Sequence, residues 1–513
     1  MSSTGDDLPE DIEALKRMVR EHRALLDARQ AEIHRLRLLI AKLKRLQFGR
    51  SSERLDREIE QLELQLDELE AETAPVAMAT PTEPSESAPA RRRALPEHLP
   101  RERLVHEPAC VCPDCGGSMK PIGEDVSEVL DYRPAQFRVI RHVRPKLACV
   151  RCDHIAQVPA PARPIARGLA GAGLLAHVLV AKYADHQPLY RQSQIYAREG
   201  VELERSTLAQ WVGQAFGLLE PLIDTLGRYV LGTAKLHADD TPVPVLDPGR
   251  GKTKTGRLWT YVRDDRPAGS TEPPAVWFRY SPDRRGERPR EHLKDFAGIL
   301  QADAYAGFNA LYEGHKVLEA GCWAHARRGF YELHQATDSP LAREALERIG
   351  ALYAIEAEIR GRPPDERCAV RQARAGPLLE SLREWMRQLL SRSSKKSELA
   401  RATGYVLSHW QALTRYRDDG RIEIDNNAAE RALRAVAIGR KNYLFCGSDA
   451  GGERAAAIYS LVGTAKLNGI DPEAYLRHVI ERIAEHPVNR LDELLPWAVA
   501  DALKDDARDR LAA

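Results

Sequence analysis

The stretch IEIDNNAAERALRAVAIGRKNYLFCG, residues 422 to 447, sets one carboxylate in a field of positive charge. Asn426 or Asn427 can cap a helix running from Ala428 to Val436. On it Glu430 and Arg434 stand one turn apart on one face, and the basic run Arg440-Lys441-Asn442 follows. The local reading is a capping box, Asn427-x-x-Glu430, in which the glutamate only returns a hydrogen bond to the cap. A larger role for Glu430 needs partners. Two acidic positions upstream end candidate strands: AKLHADDTP reaches Asp239 and Asp240, and GILQADAY reaches Asp303. A carboxylate at the end of a buried strand sits at the sheet edge where ligands bind. Each aspartate alone is equally a solvated turn residue. Together with Glu430 they make a three-carboxylate metal site, and the residues do not choose between Asp239 and Asp240.

Around these acids the expected strands are Lys235 to Asp239, Leu258 to Val262, Ala275 to Tyr280 and Gly298 to Asp303. Each is short, rich in Val, Ile, Tyr, Trp or Leu, and bounded by Gly, Pro or charged turns. Within Val317 to Phe330, VLEAGCWAHARRGF, the residues Trp323, His325, Arg327 and Arg328 share an expected helix. Cys322 and His325 are half a metal site with no second pair, so basic residues facing phosphate is the preferred reading. From Tyr331 to about Leu413 the chain is helical and charged, an insertion between Asp303 and Glu430. Upstream, Ile165 to Val230 is helical with a break at Arg198-Glu199-Gly200-Val201. A new start at Ser206-Thr207 can cap Leu208 to Phe216, an outline shared by helix-turn-helix motifs and ordinary helical hairpins.

Five of the eight cysteines fall between Cys110 and Cys152, too sparse for a disulfide scaffold and clustered as metal ligands are. Cys112-Pro-Asp-Cys115 and Cys149-Val-Arg-Cys152 are two knuckles able to present four thiolates to zinc. The alternation of Val129, Tyr132, Phe137 and Val139 between them suits strands of a zinc ribbon. Nearer the N-terminus, Ile12, Val19, Leu26, Ile33 and Ile40, with Leu15, Leu36 and Leu43, form a heptad pattern broken by His22 and Arg29. Leu55, Ile59, Leu62, Leu66 and Leu69 form a second run. Such runs make either a dimeric coiled coil or an internal hairpin closing at Gly49. Residues 73 to 99, rich in Pro, Ala, Ser and Thr, read as a linker.

The chain has 513 residues, which suggests roughly three or four domains. Its 76 basic and 75 acidic residues nearly cancel, so nucleic-acid contacts must come from local patches. The N-terminus lacks signal-peptide character, and the longest apolar run, Leu169 to Ala181, is too short to span a bilayer; a cytoplasmic location and no membrane partner are expected.

The ordered motifs LQFGRSSERL, LPEHLPRE, CPDCGG, KYADHQPLYRQ, LHADDTPV, LQADAYAGF, CWAHARRGF, IDNNAAERALRAVAIGRKNYLFCGS, TAKLNGIDPEAYL and LLPW cover nearly the whole chain. In them the sequence resembles the insertion sequence 66 family of bacterial DDE transposases. The resemblance implies a multidomain, mainly α protein with an α/β core. Its parts are a coiled coil (9–72), a linker (73–99), a zinc-binding domain (100–160), a helical domain (161–230), a ribonuclease H-like core (231–448) with a helical insertion (331–413), and a C-terminal helical region (449–513). It assigns Asp239, Asp303 and Glu430 as catalytic ligands of two magnesium (or manganese) ions, beside a structural zinc at the four cysteines. Family members commonly carry glutamate where this chain has Asp240, a departure that keeps the charge. The implied chemistry is hydrolysis at the element ends and joining of the released 3′-hydroxyl to target DNA. His325, Arg327, Arg328, Arg434, Arg440 and Lys441 would neutralise phosphates. DNA, further copies of the chain and accessory proteins of the same element are the implied partners, with nucleoid association during action. Two other classes remain open: a zinc-containing DNA-binding regulator without catalysis, and another ribonuclease H-like nuclease such as a junction resolvase.

Overall fold

The computed structural model describes residues 101–505, apart from 109–110, 112–113, 116, 134–135, 153, 167, 248–251, 440–441 and 443–445, together with isolated positions between 13 and 100. Apart from those isolated positions, the heptad region and linker lie outside the described residues, as do Cys110, Cys112, Arg440 and Lys441.

The first sheet is built on a long hairpin. Strands β2 (Met119–Arg133) and β3 (Gln136–Cys149) pair antiparallel, β1 (Arg101–Val105) joins β3 in parallel, and the short β4 (Ile155–Ala156) pairs with the far end of β3. Leu130, Tyr132, Phe137 and Val139 are buried against the helices that follow, α1 (Ala172–Tyr183) and α2 (Leu189–Arg198). Asp131 is also buried there; it accepts from the Leu174 backbone N–H (3.1 Å) and pairs with Arg138 (3.0 Å). Helix α3 runs from Arg205 to Leu231, longer than expected and starting one residue before Ser206. Its N-cap is Glu204, with no side-chain cap bond, so the expected hydroxyl cap is not made. The helix places Leu208, Trp211, Val212, Ala215, Leu219, Leu222 and Leu226 in the main core.

The second sheet has the order β7-β6-β5-β8-β9. Its first three strands, β5 (Lys235–Asp247), β6 (Lys252–Arg263) and β7 (Ala275–Ser281), form an antiparallel meander. On the other side of β5, β8 (Gly298–Gln301) and β9 (Val317–Ala320) run parallel to it. Two differences from expectation are physical. β5 and β6 extend past their apolar centres because their polar ends still complete each other's backbone ladder from Thr241↔Leu258 to Asp247↔Lys252. The four residues VLEA form a strand, not the start of a helix: next to β8, Val317 and Ala320 are buried, and α4 begins only at Trp323 (Trp323–Thr337).

The insertion is a second, smaller core. Helices α5 (Pro340–Ile359), α6 (Gly376–Arg392) and α7 (Glu398–Ser408) bury Ile349, Leu352, Leu379, Leu382, Met386 and Val406 against Trp323 and Phe330 of α4. Within it the Arg371 guanidinium binds both oxygens of Glu356 (2.7 Å each) and the carbonyls of Tyr416 and Ile422 (2.7 and 2.9 Å), and Arg367 pairs with Glu423 (2.9 Å). The chain then re-enters the main core as α8 (Asn427–Gly439), α9 (Asp449–Leu467) and α10 (Pro472–Arg482). Helix α9 covers the β7 edge. Its Ser460 and Thr464 hydroxyls accept the Phe278 and Val276 backbone N–H groups (2.8 and 3.1 Å), so this edge is not open to a second sheet. No helix among the described residues is long and apolar enough to cross a membrane.

Candidate active site

Successive side chains of a strand point to opposite faces, so the AspAsp pair at the centre of β5 divides. Asp240 is taken up by cations: Arg284 binds it in a fork (2.8 and 3.0 Å) and Arg257 adds a third contact (3.0 Å). Asp239 has no cation within ion-pair distance among the described residues; one oxygen accepts the Asp240 backbone N–H (2.7 Å). The choice the sequence left open is thus a physical one: Asp240 is neutralised in place by Arg257 and Arg284, whereas Asp239 is not.

The parallel register puts Asp303 beside it. The last paired residues of β5 and β8 are His237 and Gln301, and two residues further along each strand come Asp239 and Asp303. Glu430 arrives on α8, held by a run of clamps on the segment before it. Gln301 donates to the Glu423 carbonyl (2.6 Å) and accepts its N–H (3.2 Å). The Trp323 N–H binds the Ile424 carbonyl (3.0 Å), and the Asn426 N–H binds Cys322 Sγ (3.2 Å). Fully buried Asn426 donates its amide to the Ala238 carbonyl (2.8 Å), which leaves its oxygen to accept from His237 Nδ1 (3.0 Å). His237 is held neutral, its pKa pushed down to about 3 by burial. Asn427 is engaged instead by Asp425, which takes both its backbone N–H (3.2 Å) and its side-chain amide (2.8 Å). The expected capping box is therefore not made. Asn426 serves the sheet, and Glu430 Oε1 is buried without a hydrogen-bond partner, 3.6 Å from His325 Nδ1 and 3.8 Å from Arg328.

These groups line one open cleft of about 620 Å³: Asp239, Asp240, Thr241, Arg284, Asp303, His325, Arg328, Glu430, Leu433, Arg434 and Ala437. Burial, with added repulsion from Asp303, Asp240 and Glu430, pushes the Asp239 carboxyl up to about 7. Asp303 is also raised, by burial, against the opposing pull of His325 and Arg284. The three acids share this cleft, but they are not among the donor groups whose ligand atoms lie within 4.8 Å of one another, so a divalent cation with oxygen ligands would have to draw them together. Arg434, Arg328 and His325 share the cleft with the acids. Arg327 does not; it lies over the Tyr331 ring (5.6 Å), outside the cleft lining. Arg284 belongs to the site and was missed, although the basic turn PDRRGERPR was its signal. Cys322 and His325, set aside as half a metal site, gain a third donor of a different kind in Glu430.

At the far end of the first sheet, Cys115, Cys149 and Cys152 converge, with Cys115 Sγ 3.5 Å from Cys149 Sγ and 3.4 Å from Cys152 Sγ. The hairpin makes this possible because Met119 pairs with Cys149, which returns Cys115 to the strand end. A Cβ at Gly117 would lie 3.2 Å from Cys149 Sγ and 2.9 Å from the Arg151 side chain, so this position favours glycine. Three thiols at this separation fit zinc.

These features define a multidomain α/β protein with an acidic cleft and a cysteine cluster suited to zinc. The chain belongs to the IS66 transposase family: residues 167–454 match the family profile described as Transposase IS66 family. Residues 109–153 match the zinc-finger binding domain of transposase IS66, 460–497 the IS66 C-terminal element, and 35–104 a profile described as Transposase C of IS166 homeodomain. Three relatives from Sinorhizobium fredii, each described as an uncharacterized protein, are similar over most of their length. They are y4hP (43% identical, 90% of this chain and 88% of the relative), y4jD (40%, 97% and 98%) and y4qI (39%, 96% and 97%).

Proposed function

We propose that the chain is a DNA transposase that cuts the ends of a bacterial insertion sequence and joins them to target DNA, with Asp239, Asp303 and Glu430 as its catalytic carboxylates. The observation that carries this reading is the meeting of three acids from β5, the end of β8 and α8 in one cation-rimmed cleft. The order β7-β6-β5-β8-β9, with an antiparallel meander beside two parallel strands, supports a ribonuclease H-like core. Two magnesium ions, or manganese, held by these carboxylates would supply activation of the attacking oxygen and neutralisation of the leaving one. The chain's own groups do the rest. Arg434 and Arg328 line the same cleft, which supports them as the groups that bind phosphate oxygens, and Arg284, fixed by Asp240, adds positive charge beside Asp303. The zinc segment, the helices upstream of β5 and the N-terminal basic region are the candidates for finding element ends. Coordinated cutting of two ends calls for at least two copies of the chain.

The test is purified protein with magnesium and the DNA flanking its own gene, scored for end-specific nicks and for joined products. Nicks and joining together support the reading. Cleavage without joining favours a resolvase, and binding without cleavage a regulator.

A further inference from the structure

We infer that Cys322, His325 and Glu430 form a second transition-metal site, one for a borderline-soft divalent cation of the zinc class, which shares Glu430 with the carboxylate cleft. One ligand atom from each of the three lies within 4.8 Å of the others. Two come from the start of α4, where Cys322 is the N-cap and His325 follows three residues later, so one helical turn presents sulfur and nitrogen side by side. The third comes from the first turn of α8.

Two of the donor atoms make no hydrogen bond. His325 Nδ1 and Glu430 Oε1 are both buried without a hydrogen-bond partner, 3.6 Å apart. Donors on a tetrahedral zinc at about 2.0 to 2.3 Å stand about 3.3 to 3.8 Å from one another. The His325 to Glu430 distance already falls there, and drawing in the sulfur needs a movement of about 1 Å. Burial pushes the Cys322 thiol up to about 12, so the metal itself must displace the proton to solvent; the Asn426 N–H directed at Sγ (3.2 Å) then steadies the thiolate. Nitrogen and sulfur donors are not what magnesium selects; they suit zinc, cobalt or cadmium. Because Glu430 is shared, an ion at this site withdraws it from Asp239 and Asp303. Zinc-class cations therefore oppose magnesium at the cleft.

The inference rests on Glu430 being a metal ligand but not on any DNA reaction. The experiment is a cobalt(II) titration of the full chain, read by the sulfur-to-cobalt charge-transfer absorption, beside a manganese(II) titration read by paramagnetic resonance. Wild-type protein is expected to show two classes of thiolate-bound cobalt, one at the cysteine cluster of the first sheet and one here. Cys322→Ser should keep only the first class, and Cys115→Ser should disturb only the first. His325→Gln removes a direct ligand and should weaken the second class by more than about a hundredfold, beyond the upper end of what loss of an outer-shell partner costs. A single class in wild type, or a second class unchanged in both Cys322→Ser and His325→Gln, overturns the inference. Manganese binding that depends on Asp239 and Asp303, without a second cobalt-thiolate class, would leave the carboxylate reading standing and remove this one. The reverse pattern would do the opposite.

Discussion

Replacing Asp239 by Asn should make the magnesium-free protein more stable at pH 8 and change little at pH 4. Asn keeps the acceptor for the Asp240 N–H and removes the charge. Burial and three neighbouring acids hold the carboxyl at about 7, against an ordinary value of 3.8. The folded protein thus binds this proton more tightly than the unfolded chain does. The stability linked to it is fully present below about pH 4 and is lost as pH rises through about 7. A shift of that size corresponds to about 4 kcal/mol, and since Asp239 retains some contact with water, about 2 to 4 kcal/mol is expected. The assay is urea unfolding of zinc-loaded, magnesium-free wild type and Asp239→Asn from pH 4 to 8, followed through the catalytic-core transition. Magnesium should offset most of that difference: at a hundredfold excess over its Kd it stabilises wild type by about 2.7 kcal/mol, and it should stabilise the variant much less. If the two proteins keep the same difference at pH 4 and pH 8, or if Asp239→Asn is the weaker at both, the acids do not crowd one another and the site reading fails.

Glu430→Gln and Asp303→Asn should each lower nicking and strand transfer together by at least about 10²- to 10³-fold, with specific DNA binding retained in gel-shift assays; loss of one step alone would refute a shared site. Cys115→Ser should lose the zinc bound at the first sheet, measured by elemental analysis; unchanged zinc content would place the ion elsewhere. Arg371→Met should destabilise the protein by about 3 to 5 kcal/mol because it leaves buried Glu356 only the longer Arg367 contact (3.4 Å) and removes the donor to the Tyr416 and Ile422 carbonyls, and the double change with Glu356→Leu should recover part of that in urea unfolding. Removal of residues 9–72 should lower the oligomeric state in light scattering; an unchanged state would favour the internal hairpin.

The acids were legible because strand ends and a helix start leave local signatures, but LHADD left Asp239 and Asp240 as equal candidates. What separates their roles is not in that motif. It lies in Arg257, on the adjoining strand, and Arg284, in a loop more than forty residues away, whose guanidinium groups claim Asp240. The Asn427-x-x-Glu430 spacing misled for a local reason: Asp425, two residues before, takes both the backbone N–H and the side-chain amide of Asn427. Only the neighbouring Asn426 is drawn off by His237 and Ala238 on a strand far away in the chain. β9 was missed because four residues carry too little periodicity to stand out from the helix they precede; only the backbone groups of β8 make VLEA a strand. The same holds for Cys322 and His325, whose third companion is absent from their own neighbourhood in sequence.

The clamps on residues 422 to 426 also bear on the order in which the molecule matures. Asp239 and Asp303 adjoin as soon as β5 and β8 pair, but Glu430 arrives only after a stretch of more than a hundred residues has folded and Arg371 has gripped the Ile422 carbonyl. Closing so long a loop costs entropy that only the completed contacts repay, so this corner forms late. A chain still emerging from the ribosome, or one whose insertion has melted, therefore carries two of its acids and lacks the third. Competence at the cleft is tied to completion of the fold.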